Sequence, residues 1–405
     1  VESPLRLKVH EHPVSSLDQY PRNGSSLFRG AFGRLSRKLT SAESFPLHQT
    51  KSRVVLPPKR SDVLLIVPPF ASLYIPSLGV HTLQACALKA GAGVDILYAN
   101  FLLAALIGED PYNEIAWQSI GPFVAERIFS RWAFGLRPLG LHADRIFDLS
   151  QMFGEKQARI YAAFFGLTSP VKRALYSRSR TAIIRRLARI EEAVGAWLDE
   201  VAAAIAQQNY KVVGCSSTFE QTLCSIALLN RVKAIDKEVI AIIGGANCEA
   251  QMAEGIASLK TGIDYIFSGE SESSFTGFLQ DLQSGKRPAK QIIEGKPCEN
   301  MNAQPTPGFH EFFDQRGSCF AASKRQAEQL YLTYETSRGC WWGQKQHCTF
   351  CGLNGEGMIS RRKSAGRVLE ELKALVAANP TKNIGMADNI MPHEYFTTLL
   401  PKLST

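Results

Sequence analysis

From residue 61 onward the chain is set out in short runs of branched apolar residues, each closing on small or polar positions. "DVLLIVPPF" (62–70) stops at two prolines, and "VDILYAN" (94–100), "KVVGCSS" (211–217), "VIAIIGGAN" (239–247) and "IDYIFSGE" (263–270) repeat the form. Unbroken apolar runs of this length, without alternation, mark strands buried on both faces of a parallel sheet. Between them the period changes. "SLGVHTLQACALKAG" (77–91) places its apolar residues at helical spacing and ends on glycine. Strands alternating with helices predict an α/β fold, a doubly wound, Rossmann-like parallel sheet over residues 61–284, with any ligand at the carboxyl ends of the strands.

One long excursion interrupts the alternation, from about 101 to 208. It closes in "SRTAIIRRLARIEEAVGAWLDEVAAAIAQQ" (179–208), whose apolar positions recur at helical spacing and predict a helical insertion over the sheet. Its basic flank (Arg180, Arg185, Arg186, Arg189) reads as a solvated face. Residues 285–325, with Pro288, Pro297, Pro305 and Pro307, predict a linker. A second domain is expected over 326–405. There "QLYLTYETS" (329–337) reads as a strand, "SAGRVLEELKALVAANP" (364–380) as an amphipathic helix capped by Ser364, and "NIGMADN" (383–389) as another strand. This is the β-α-β opening of a β/α barrel. Only 54 residues follow Cys351, so the barrel is expected to be incomplete and a chain ending at Thr405 to be inactive.

Composition narrows the function. Of 405 residues, 45% are hydrophobic and 20% charged, the balance of a globular protein. Apolar runs such as "FLLAALIG" (101–108) fall far short of a membrane span, and no stretch reads as a signal peptide. A cytoplasmic protein without a membrane partner is the expectation, in a compartment where thiols stay reduced. The net charge of +9 is concentrated in residues 1–60, which hold eleven Lys or Arg against four acids. The rest is close to neutral, so no basic stripe awaits a nucleic acid. The Ser-rich leader, residues 1–60, predicts disorder.

The candidate chemistry lies in "RGCWWGQKQHCTFCGLNG" (338–355), where three of the nine cysteines stand as C-x7-C-x2-C. Thiolates are soft ligands that suit zinc or an iron–sulfur cluster. A structural zinc site wants four ligands, and the local fourth donor is His347, adjacent to Cys348. Three thiolates alone suit a cubane with one iron open to substrate. Trp341 and Trp342 are expected to pack the loop against the domain interface.

A strand ending in "TSRGC", then cysteines with Phe350 just before the last, resembles the cluster loop of radical S-adenosylmethionine enzymes. Their commonest spacing is C-x3-C-x2-C. The longer loop, with "GCWWG" and "CTFCGLNGEGM", is similar to the cobalamin-dependent branch that matures ribosomally made peptides (RiPPs), usually described as C-methyltransferases. The resemblance implies that Cys340, Cys348 and Cys351 hold a [4Fe-4S] cluster whose open iron chelates S-adenosylmethionine. Phe350 and Gly352 would lie at that cofactor, with Asp388 and Asn389 at its methionine end. Upstream, "PPFASLYIPSLGVHTLQA", "GCSSTFEQ", "GGANCEAQMAEGI" and "IDYIFSGESESSF" resemble the successive loops of the family's cobalamin-binding domain. The residues so implied are Pro69, Ser77, Leu78, Gly79, Ser216, Ser217, Gly244, Gly245, Asn247, Gly269 and Glu270. Taken singly, each glycine loop reads as an ordinary tight turn. No D-x-H-x-x-G motif occurs, so the lower face of cobalamin is expected against the Pro69 to Gly79 loop without a histidine. The implied activity is radical methylation of an unactivated carbon in a precursor peptide, with a flavodoxin or ferredoxin as electron donor. Rearrangement or cyclisation with the same cofactors, and a non-catalytic cobalamin- or zinc-binding module, are the alternatives.

Overall fold

The computed structural model describes residues 54, 56–118, 123–139, 170–320, 328–352 and 358–403. Most of the leader, residues 1–53 and 55, lies outside them, as do 140–169 of the insertion. The five apolar runs form β1 (Val63–Val67), β2 (Asp95–Tyr98), β3 (Val212–Ser216), β4 (Ile240–Gly244) and β5 (Tyr265–Ser268). A sixth strand, β6 (Ile292–Glu294), extends the sheet. Every neighbour pairs in parallel, in the order β2-β1-β3-β4-β5-β6. All five residues of β1 are buried, as its unbroken apolar run requires of a strand covered on both faces. The order reverses at β1, which makes the gap between β1 and β3 the switch point of the sheet.

Helices follow the strands: α1 (Leu78–Lys89) leads from β1 to β2, and α6 (Thr222–Ile235), α7 (Gln251–Ser258) and α8 (Glu272–Gln283) link the later ones. The excursion between β2 and β3 contains α2 (Ala99–Ile107), α3 (Glu109–Gln118), α4 (Val124–Phe134) and α5 (Pro170–Gln207), so its described part is helical as expected. Of its basic flank, Arg185 and Arg189 are exposed, and Arg186 pairs with Glu114 at 3.2 Å. Two carboxylates fix this layer to the sheet by exchange. Glu126 on α4 accepts from the amides of Thr222 and Leu223 at 2.9 and 2.7 Å, covering orphan donors at the start of α6. Glu220, just before α6, accepts from the Ala125 amide in the first turn of α4 at 2.8 Å. Burial pushes the Glu126 carboxyl up, against the pull of those amides.

Of the linker expected over 285–325, the described residues 285–320 are packed into the fold. They supply β6 and a helix, α9 (His310–Cys319), whose Phe312 is fully buried in the sheet's core. Gln315 of α9 donates to Ile96 O at 2.8 Å and accepts from the Tyr98 amide at 2.9 Å, so the segment ties down β2. Four prolines broke the apolar pattern without preventing packing.

Beyond it, β7 (Leu332–Tyr334) and β10 (Ile384–Met386) pair in parallel across α10 (Ala365–Ala378). Ser364 caps α10 as expected, its hydroxyl accepting from the Arg367 amide at 3.3 Å. A small antiparallel pair joins β8 (Ser337–Arg338) to β9 (Arg361–Arg362), and α11 (Tyr395–Thr398) and α12 (Leu400–Leu403) close the described chain. These elements share a second core around Leu332, Tyr334, Val368, Leu372 and Tyr395. Phe313 of α9 and Leu78 at the start of α1 pack against it, Phe313 touching both cores. Among the described residues, no helix is long and apolar enough to cross a membrane.

Candidate functional site

The carboxyl ends of the strands form one edge, and the loops there are braced by their own side chains. After β3, the Ser217 amide donates to Gly244 O at 2.6 Å, and its fully buried hydroxyl bonds Thr222 Oγ1 at 3.0 Å. Asn247 Nδ2 reaches Ser217 Oγ at 3.2 Å, Thr222 Oγ1 at 3.1 Å and Phe219 O at 2.6 Å. Ser217 and Asn247, expected as contacts for cobalamin, are thus spent on holding the β3 and β4 loops together. Gly244 and Ser216 end paired strands and remain half-buried. Gly245 is exposed, with φ at +110°, and a Cβ there would stand 2.5 Å from Ser217 O. Only glycine meets both conditions. Gly245→Ala is expected to lose about 3 kcal/mol of stability through backbone strain and steric clash, read from urea unfolding midpoints. Gly79→Ala, with nothing within 4 Å, is the control; equal midpoints for the two would refute the packing role.

Gly79 and Gly269 are exposed and have open space where a side chain would be. Ser77, at the start of α1, donates its amide to Tyr98 Oη at 3.1 Å, and Leu78 leans on the second core. Pro69 is buried beneath the loop, so it supports that wall and does not form its surface. The same helix carries His81, fully buried, its Nε2 bonded to Tyr98 Oη at 2.8 Å. Burial pushes His81 down to about 3, keeping the imidazole neutral.

Glu270 departs most from expectation. It lies at the end of β5, yet both carboxylate oxygens are taken by a charged clasp. Arg361 binds it through both terminal nitrogens, Arg338 Nη1 at 2.8 Å and the Cys298 amide at 2.9 Å. Arg338 also meets Glu272 at 2.5 Å and both oxygens of Glu335 at 2.9 Å. Burial alone would raise the Glu270 carboxyl, but Arg361, the Cys298 amide and Arg338 carry it down to about 2. Burial works against the Arg338 charge, and its three carboxylates outweigh it. Since Arg338 lies two residues before Cys340, the clasp fastens the cysteine loop to the carboxyl end of β5.

The loop itself turns sharply. Gly339 has φ at +76°, and a Cβ there would collide with Ile359 O. The Cys340 amide donates to Met358 O at 3.2 Å, while the Gly343 amide donates to Cys340 Sγ at 3.2 Å. Cys348 and Cys351 bracket a turn, the Cys351 amide bonding Cys348 O at 3.0 Å. All three thiols are half-buried and unpaired in disulfides. Phe350 and Gly352 are exposed beside them, Phe350 at 90%. Among the described residues, no three His, Cys, Asp or Glu side chains are grouped to hold a single metal ion. Trp341 packs within the second domain and not against the sheet, its Nε1 donating to Met391 O at 3.1 Å, and Trp342 is exposed.

Asp388, expected at the methionine end of S-adenosylmethionine, is otherwise engaged. Its carboxylate accepts from the amides of Thr336 and Ser337 at 2.7 and 3.0 Å and from the Thr336 hydroxyl. It braces the turn from β7 into β8, and burial raises its carboxyl against those donors. Asn389, next to it, is exposed. A cavity of about 1380 Å³ runs along the outer edge of β2, between Leu102, Trp197 and Glu311, and is lined by neither the three cysteines nor any residue expected to contact a cofactor.

The fold and site together define an α/β protein whose six-stranded parallel sheet carries a three-thiol loop clasped to its carboxyl edge. No family model matches the chain, and no curated protein matches it.

Proposed function

We propose that this chain is the sheet domain and cluster loop of a radical S-adenosylmethionine enzyme that uses cobalamin to methylate an unactivated carbon of a ribosomally made peptide. The observation that carries the reading is the clasp of Arg338 and Arg361 on Glu270, which sets the three-thiol loop at the carboxyl end of β5. Strands lie about 4.8 Å apart, so β3 and the switch point begin some two spacings away, roughly 10 Å. A cofactor in the crevice and one on the loop would be neighbours, as a transfer between them requires.

The residues present fit both groups in kind. Cys340, Cys348 and Cys351 offer three soft donors on one loop, and the Gly343 N–H donates to Cys340 Sγ, the kind of contact that tunes cluster sulfurs. A four-iron cluster is larger than a single ion and spreads its ligands more widely. At the sheet, Gly79, Gly245 and Gly269 present bare backbone that a broad, flat ligand can approach. When bound, the cluster supplies an electron to S-adenosylmethionine and cobalamin supplies the methyl group. The chain's own residues orient and enclose. Arg338 and Arg361 fix the loop, Trp341 covers its flank against Met391, and Phe350 offers a ring beside the thiols for an adenine. The start of a β/α barrel is our reading of β7, α10 and β10. The peptide substrate and the flavodoxin or ferredoxin donor follow from the sequence resemblance.

Anaerobic reconstitution with iron and sulfide is the test. About four irons and four sulfides per chain are expected, lost in Cys348→Ala. About one tightly held zinc with little iron would make the thiols structural and end the radical reading.

A further inference from the structure

The frame at the switch point leaves one large side chain outside. Gln221, buried at the start of α6, donates from Nε2 to Pro68 O at 2.9 Å and so ties the loop after β3 to the loop after β1. Its Oε1 accepts from the Thr218 amide and hydroxyl at 2.9 and 2.8 Å. Asn247 holds the carbonyl of Phe219 at 2.6 Å from the β4 side. The polar groups of three loops are thus turned on one another. The Phe219 ring is 92% exposed, the most exposed large hydrophobic among the described residues. Its φ of +48° lies in the left-handed region, which L residues enter at a cost and glycine or asparagine enters more easily.

Neither packing nor backbone preference accounts for a phenylalanine here. The ring has almost no protein around it, and a smaller residue would suit the turn better. An apolar ring fixed on a braced loop, at the edge where a doubly wound sheet takes its ligand, matches what lines such sites: apolar and aromatic surface, with polar groups held rigid behind it.

We propose that Phe219 is a ligand-contacting residue that lays its ring against a large flat ligand in the β1/β3 crevice. Resting on the reading above, that ligand is the corrin ring, whose rim is rich in methyl and methylene groups. The contact buries apolar surface on both partners, which is why the ring stands open without the ligand. It would also keep water from that side of the crevice.

Hydroxocobalamin is titrated into the full chain and followed by absorbance and equilibrium dialysis, for wild type, Phe219→Ala and Phe219→Tyr. Thermal midpoints are measured without ligand. Phe219→Ala is expected to bind at least tenfold more weakly with an unchanged or higher midpoint, and Phe219→Tyr to stay within about twofold of wild type. Wild-type binding that Phe219→Ala leaves intact would overturn the assignment of Phe219 alone. A midpoint that falls in step with affinity would make the ring structural and overturn it equally. No binding by wild type would bring down the cobalamin reading, and the corrin contact with it.

Discussion

Arg338→Met should loosen the chain at the join of its two cores, at a cost of about 3 kcal/mol. Three carboxylates converge on this guanidinium, and their side chains are only 24%, 14% and 20% exposed for Glu270, Glu272 and Glu335. Removing the cation leaves Glu335 without the partner that offsets its burial, and burial already raises that carboxyl. Glu270 keeps Arg361, and Glu272 keeps the Gln304 amide at 3.2 Å, so the loss stays below that of a fully buried triad. The Arg362–Glu394 pair is the internal control. Its side chains are 44% and 43% exposed, and Arg362→Met should cost under about 1 kcal/mol. Urea unfolding of both variants at equal slope gives the comparison. If Arg338→Met shifts the midpoint no further than Arg362→Met, the clasp does not hold the cores together.

The second large effect lies under α10. Glu371 is 1% exposed and Lys363 4%, with Nζ 2.7 Å from the carboxylate. Tyr334 donates its hydroxyl to the same oxygen, while Thr306 at 2.9 Å and Arg367 at 2.8 Å bind the other. Burial would raise the Glu371 carboxyl, but Lys363, Tyr334 and Thr306 bring it below the ordinary range. Glu371→Leu strands an ammonium in the second core and should cost about 4 kcal/mol. The double variant Lys363→Met with Glu371→Leu removes the two buried charges at similar volume, leaving Arg367 at 30% exposure to solvent, and should recover at least half of that loss. Thermal or urea unfolding of the three proteins decides it. A double variant no more stable than Glu371→Leu would mean that the lost hydrogen bonds to Tyr334 and Thr306, and not the stranded charge, set the cost.

What could be read in advance follows from how each feature is encoded. The strands β1 to β5 are local apolar runs, and a parallel sheet buries such runs whole, so pattern and structure agree. β6 has two isoleucines in a Pro-rich stretch, too short to show a period, and pairs because β5 offers it an edge. α9 has its two phenylalanines side by side, and its burial comes from two cores meeting across it. The clasp is unreadable in principle from one sequence. Glu270, Arg338 and Arg361 are far apart in the chain, and ion pairs have no period. Glu270 was visible as a residue at a strand end, but its partners were not. The same holds for Asp388, whose neighbours Thr336 and Ser337 lie across α10. Phe219 lies in "GCSSTFEQ", where nothing local separates a core phenylalanine from an exposed one.

The order of the sheet also governs how the chain assembles in time. β1 pairs with β2 soon after both exist, but its other neighbour is β3, with Val63 against Val212 across the whole excursion. During synthesis this wholly buried strand waits with one edge open while α2 to α5 are made. Closing that long loop is costly in chain entropy and slow, because contacts far apart in sequence must form before they stabilise anything. An apolar strand with one edge open for that interval is where misassociation begins. The exchange of carboxylates between α4 and α6 shortens the search, since Glu126 and Glu220 can dock the late helix on the early one and carry β3 in beside β1.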